Sequence, residues 1–192
     1  TNVRKRLMTQ QIIGNRAVSA APRQAWPVIT FDNSVSVHFN GEEIQIIHFA
    51  HGHTDGDSVI FFTGSNVVHT GDLFFVGRFP FIDLDSGGSI HGFINNVADI
   101  IARVDENVTI IPGHGPLASL DDLRTAHRML EETTEFVSRS ISEGKTLEEI
   151  KQIGVQDEWA SWGHAFISSE RWLGLLHRSL TSSYGKDASS TQ

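Results

Sequence analysis

Three side chains in this sequence have the chemistry and the surroundings of metal ligands: His53, Asp72 and His114. Each follows an apolar, β-prone run and has glycine nearby. "EIQIIHF" leads towards His53, "NVVHTG" to Asp72 and "VTIIPG" to His114, which lies between Gly113 and Gly115. Imidazole and carboxylate are the donors a divalent ion such as Zn²⁺ takes when no thiolate is available, and the chain has no Cys. Glycine allows positive φ and close backbone approach, so a His between two glycines is not placed by strand propensity. Side chains at strand ends can meet on one edge of a sheet, and these three are expected to converge there on metal.

The run "HGHTDGD" adds His51, Asp55 and Asp57 within seven residues of sequence. His51 and Asp57 are candidates for an extra ligand or for groups that orient one, and so is His69, three residues before Asp72. As a strand residue, His69 also reads as packed, together with His38 and His48. His91, His127 and His177 fall on helices and read as surface or hydrogen-bonded groups. Asp83 and Asp85, in "FIDLDSGG", read first as turn formers and second as orienting carboxylates. Trp159, Trp162, Phe166 and Trp172 read first as core and second as aromatics that line a substrate pocket.

The elements that must position these groups follow from periodicity. "SVSVHF" alternates, Asn40-Gly41 is a tight-turn pair, and "EIQIIHF" returns as the partner strand. "SVIFFT" and "NVVHT" form a second hairpin. From Ser89, a plausible N-cap, the spacing changes to that of a helix with Ile90, Phe93, Ile94, Val97, Ile100, Ile101 and Val104 on one face. "VTIIPG" is a short buried strand. A long helix spans about 120–143 with Gly144 as its cap, Thr146 and Glu149 open a short one, and "SSERWLGLLHRSL" is the last. Residues 2–11 read as a polar helix and "GNRAVSAAPRQAWP" as an irregular connection. Strands first and helices after give an α+β arrangement with helices packed over a sheet, in one domain over 1–181 with a mobile Ser-rich tail over 182–192.

Composition limits the partners. The 192 residues are 39% hydrophobic and 20% charged, enough for one core, and the formal net charge is −8. That balance speaks against nucleic acid or an anionic membrane surface and favours a small-molecule substrate. No apolar run is long enough to span a bilayer, and "TNVRKRLMTQQ" lacks the apolar stretch of a signal peptide. These features point to a soluble chain and fix no compartment.

In order, "GHTDGDSVIFF", "VVHTGDLFF" and "IIPGHGP" resemble the G-H-T-x-G, G-D-x-x-F and P-G-H-G segments in the second half of the metallo-β-lactamase superfamily. "GRFPFIDLDSGGSIHGFINNV" and the long helix resemble a hydrolase branch of it. The resemblance implies an αββα sandwich, of which this chain supplies mainly the C-terminal sheet with its covering helices. It implies that His53 binds a first metal, Asp72 bridges two, and His114 binds the second. The cofactor would be one or two Zn²⁺, with Mn²⁺ or Fe²⁺ as alternatives, and a metal-bound hydroxide would attack an ester, thioester, lactone or lactam. Asp at position 72 favours thioesterases such as glyoxalase II, lactonases and phosphodiesterases over the best-known lactamases, which carry another residue there.

One motif of the superfamily, H-x-H-x-D-H, is not found. The only H-x-H is His51-Gly52-His53, and Gly56 stands where the last His would be. The chain opens on Thr1 without an initiator Met, so the expectation is a C-terminal portion with further ligands and the general base upstream. Such a portion should bind metal weakly and turn over poorly. The competing expectation is a non-enzymatic binding or oligomerisation module that has lost the first motif. In both cases the uncovered sheet favours homo-oligomers.

Overall fold

A computed structural model of the chain describes residues 1–13 and 16–187. In chain order the elements are α1 (Asn2–Leu7), β1 (Gln11–Ile13), β2 (Arg16–Val18), β3 (Ser34–Phe39), β4 (Glu42–Phe49), β5 (Asp57–Phe62), β6 (Val67–Phe75), α2 (Ile90–Arg103), β7 (Thr109–His114), α3 (Leu120–Ser142), α4 (Leu147–Ile153) and α5 (Ser169–Asp187). Short 3₁₀ turns cover Arg23–Ala25, Leu84–Ser86 and Asp157–His164.

β3 to β7 form one sheet in sequence order, antiparallel except for the parallel pair β6–β7. The tight turn after β3 is as expected: Asn40 and Gly41 have φ of 52° and 81°, the double positive φ of a type I′ turn. Parallel strands need a crossover, and α2 supplies it between β6 and β7.

The helices cover one face of the sheet. Ile90, Phe93, Val97 and Ile100 of α2 are buried together with Phe49, Val59, Val68 and Ile110 from four of the strands. Ser89 caps α2 by accepting from the Gly92 amide, and Ser119 with Asp122 forms a full capping box on α3. α5 closes the layer. Trp172 is fully buried, stacks on Phe79 at 5.4 Å between ring centres and donates to Thr133 Oγ1 at 3.1 Å. Ser179 Oγ accepts from the Ile90 amide at 3.1 Å, tying α5 to the start of α2.

Three expectations change. The N-terminal helix stops at Leu7, and Gln11–Ile13 pairs with Arg16–Val18 as a small ribbon, because the β-branched Ile12 and Ile13 favour extended backbone. Residues 14 and 15 of the expected connection lie outside the described residues. Asp72 lies within β6 and not beyond it: the register slips on either side of Gly71, and the strand resumes beside β7 until Phe75 faces His114. Phe166, expected in the core, is 76% exposed. Of the expected tail, residues 182–187 continue α5 and 188–192 lie outside the described residues.

Trp172→Ala should cost about 3–5 kcal/mol, the range for removing a large buried aromatic side chain, read from urea unfolding followed by circular dichroism.

Candidate metal centre

The loop between β4 and β5 carries His53, and backbone contacts hold it. The Ser89 amide reaches the carbonyl oxygens of His51 and Gly52, each at 3.1 Å, and Ser89 Oγ donates to the His51 carbonyl at 3.1 Å. The Asp83 amide donates to the His53 carbonyl at 2.8 Å, and the Asp55 amide to the Ser86 carbonyl at 2.9 Å. These approaches leave no space for side chains. A Cβ on Gly92 would lie 2.0 Å from the His51 carbonyl oxygen, and one on Gly88 2.4 Å from that of His53.

Asp57 orients the ring. Its carboxylate accepts from the Thr54 amide at 3.0 and 3.1 Å and from Thr54 Oγ1 at 2.7 Å, and one oxygen stands 3.5 Å from His53 Nδ1. With Nδ1 on this side, Nε2 faces Asp72 Oδ2 at 3.8 Å. Burial opposes a charge on His53, but the Asp57 contact and the charges of Asp57, Asp72 and Asp83 outweigh it and hold the pKa above the ordinary 6.5.

Gly71 and Gly113 bring the other two groups together. Gly71 has φ of +54° at the register slip, a bulge-like break that re-aims the following side chain. Asp72 Oδ1 then stands 3.5 Å from His114 Nε2. The carboxylate passes so close to β7 that a Cβ on Gly113 would meet Asp72 Oδ1 at 2.3 Å and the Gly71 carbonyl oxygen at 2.6 Å. The His114 ring stacks on Phe75 at 4.7 Å, with 17° between planes.

The two imidazoles thus address different oxygens of one carboxylate. A tetrahedral ion with donors at about 2.0–2.2 Å sets its ligand atoms roughly 3.3–3.6 Å apart. The His114–Asp72 separation falls in that window and the His53–Asp72 separation just outside it. Among the described residues, no three His, Cys, Asp or Glu side chains are gathered into a set that could hold an ion. Donor type suits a divalent ion at both pairs, but only the His114–Asp72 pair has the spacing of two ligands, and the three groups together do not fit one closed three-ligand site.

The remaining candidates are held elsewhere. His51, with φ of 59°, has Nδ1 at 3.0 Å from the Gly87 carbonyl, and His69 Nδ1 accepts from the Gly71 amide at 3.0 Å. Asp83 caps the turn Leu84–Ser86, and Asp85 pairs with Arg178. Asp55 pairs with Arg6 of α1. His48 spans the carbonyls of Asp32 and Asp55, each at 2.8 Å, a role that strand position alone did not indicate.

A cavity of about 290 Å³ opens beside the centre, lined by His53, Asp72 and His114 and walled by Phe75, Phe81 and Phe166. A cleft of about 320 Å³ at the far end of the sheet, near Gln45, Asn66, Arg103 and Asp105, has no imidazole in its lining and carries none of this chemistry.

A family model described as the metallo-beta-lactamase superfamily matches residues 4–114, more than half of the chain. No curated protein matches. Among solved structures, the stereoselective inverting sec-alkylsulfatase Pisa1 from Pseudomonas sp. is similar at 14% identity and a TM-score of 0.61, over 92% of this chain and 29% of that one. A metallo-beta-lactamase from Pontibacter korlensis is similar at 15% identity and a TM-score of 0.47, over 56% of this chain and 50% of that one. The chain spans half or less of the length of these structures. At such identities, the likeness to the sulfatase speaks for the fold alone.

Gly113→Ala should displace Asp72 from the line between the two imidazoles. The expected result is loss of the His114–Asp72 approach in a crystal structure of the variant, with β7 still paired to β6.

Proposed function

We propose a hydrolytic role for this chain, which belongs to the metallo-β-lactamase superfamily. The reading is metal-dependent hydrolysis of an ester, thioester, lactone or lactam, with His53, Asp72 and His114 as ligands and Asp72 shared between two ions. One observation carries it: both imidazole Nε2 atoms face the Asp72 carboxylate, at 3.8 and 3.5 Å, beside an open cavity. Zn²⁺, or Mn²⁺ or Fe²⁺ in its place, would supply a water of lowered pKa and polarise the substrate oxygen.

The chain's own groups do the rest. Asp57 holds His53 by Nδ1 and leaves Nε2 free to ligate, the usual division of labour between the two nitrogens of a ligating His. Asp72 offers one oxygen to each half-site. Phe75 fixes the plane of His114 and, with Phe81, keeps water from one side of the cavity. Since two half-sites need further donors, we expect this chain alone to hold metal weakly.

Three outcomes follow. After dialysis in chelator-free buffer, elemental analysis should find less than two ions per chain; two retained ions would refute the half-site reading. In a form that hydrolyses a panel of thioester, lactone and lactam substrates, Asp72→Asn and His114→Ala should abolish turnover, and unchanged rates would remove both from the ligand set. Asp57→Asn should weaken metal binding by about 10–100-fold, the range for a partner that orients a ligand, as measured by competition with a chromogenic chelator.

A second reading has its own observation. By alternation, Val35, Val37, Ile44, Ile46, Ile60 and Phe62 lie on the sheet face opposite the helices, and none belongs to the buried core. A non-enzymatic module would use this face for binding or self-association. It is favoured if no substrate of the panel is turned over, at any metal load, even by a form supplied with an H-x-H-x-D-H segment, while sedimentation shows stable oligomers.

A further inference from the structure

The cavity beside Asp72 has a wall that the family match does not reach. Phe166 and Ile167 line it and Arg171 supports it, all of them beyond residue 114. Phe166 is 76% exposed, an unusual position for a large aromatic side chain, and Arg171 holds it in place. The guanidinium of Arg171 lies 4.9 Å from the centre of the Phe166 ring and 5.6 Å from that of Phe81. With Phe75, Phe79 and Ile167, the two rings give the cavity an apolar lining.

Arg78 breaks that lining. It borders the same cavity, it is half-buried, and its Nε donates to the Val76 carbonyl at 3.3 Å, which fixes the guanidinium plane. Arg6, Arg103, Arg124, Arg128, Arg139 and Arg178 each pair with a carboxylate, whereas among the described residues Arg78 shows no such pair, as is also true of Arg4, Arg16, Arg23 and Arg171; of these, Arg78 is the one that borders the cavity itself. In a chain of net charge −8, a half-buried guanidinium without a carboxylate, set in an aromatic wall, is a place for an incoming acid.

We propose that the cavity takes a small amphiphilic acid: an apolar or aromatic body against Phe81 and Phe166, with its anionic group on Arg78. At about 290 Å³ the space is at the lower end of the roughly 300–1,000 Å³ of small-molecule sites, so a single ring with a short chain fits it better than a long lipid does. That this acid is part of the substrate rests on the hydrolytic reading above; its binding does not. Arg78 is a specificity residue, and Arg171 positions the wall.

The test is a calorimetric titration of the full chain, in EDTA, with 3-phenylpropanoate and with its neutral match 3-phenylpropanamide. The acid should bind about tenfold more tightly, in line with a hydrogen bond to a charged group, and the advantage should shrink as salt is raised. Arg78→Gln should bring the ratio to about one and leave the amide unchanged, whereas Arg78→Lys should keep most of the preference. Phe166→Ala should weaken both ligands alike. Equal binding of acid and amide by the parent chain, or a preference that survives Arg78→Gln, would overturn the proposal. If Arg78→Gln does not fold, the salt series on the parent chain decides, and a salt-independent ratio overturns it. Hydrolysis of a neutral thioester is scored separately with Zn²⁺ added. Turnover without acid preference refutes this inference alone; acid preference without turnover upholds it, and the hydrolytic reading is decided apart from it, by Asp72→Asn in a form that turns over.

Discussion

The carbonyls of His51 and Gly52 accept from the amide of Ser89, the residue that caps α2, and the candidate centre is built outward from that contact. A helix N-terminus has donors that the helix cannot satisfy, and a loop that changes direction has acceptors that no strand satisfies. Here the cap and the loop meet each other's needs. The price is steric: Gly88 and Gly92 must stay bare for the carbonyls to reach α2, so the backbone sets the place of His53 before Asp57 sets its orientation.

The strands and main helices were legible because their signals are local. Alternation in "SVSVHF", the Asn40-Gly41 pair, the Ser89 cap and the Thr146–Glu149 capping box each act within a few residues, and each lies where it was expected. The three metal-ligand candidates could be picked out from residue type and glycine neighbours. What could not be read depends on distant partners. The slip at Gly71 exists only in register with β7, and the exposure of Phe166 depends on Arg171 offering its guanidinium to the ring. The ribbon of β1 and β2 was missed because the polar start of the chain resembles a helix until Ile12 and Ile13 are weighed as β-branched.

The sheet is asymmetric. One face is sealed by α2, α3 and α5 around Phe49, Val59, Val68 and Ile110; the other presents Ile44, Ile46, Ile60 and Phe62 by alternation. Asp72 and His114 of the candidate centre sit at one end of this sheet, where β6 and β7 run side by side. The sealed face therefore gives the candidate centre a rigid floor, while the other face carries apolar side chains that lie outside the buried core.

The parallel pairing of β6 and β7 has a consequence for the order of assembly. Hairpins such as β3–β4 close through a two-residue turn, whereas Asp72 and His114 approach only after the intervening crossover through α2 has formed and docked. Contacts of large sequence separation are the slow ones, since the chain loses loop entropy before they form. The approach of His114 to Asp72 thus follows the closure of the hairpins, once α2 has docked and β7 has paired with β6.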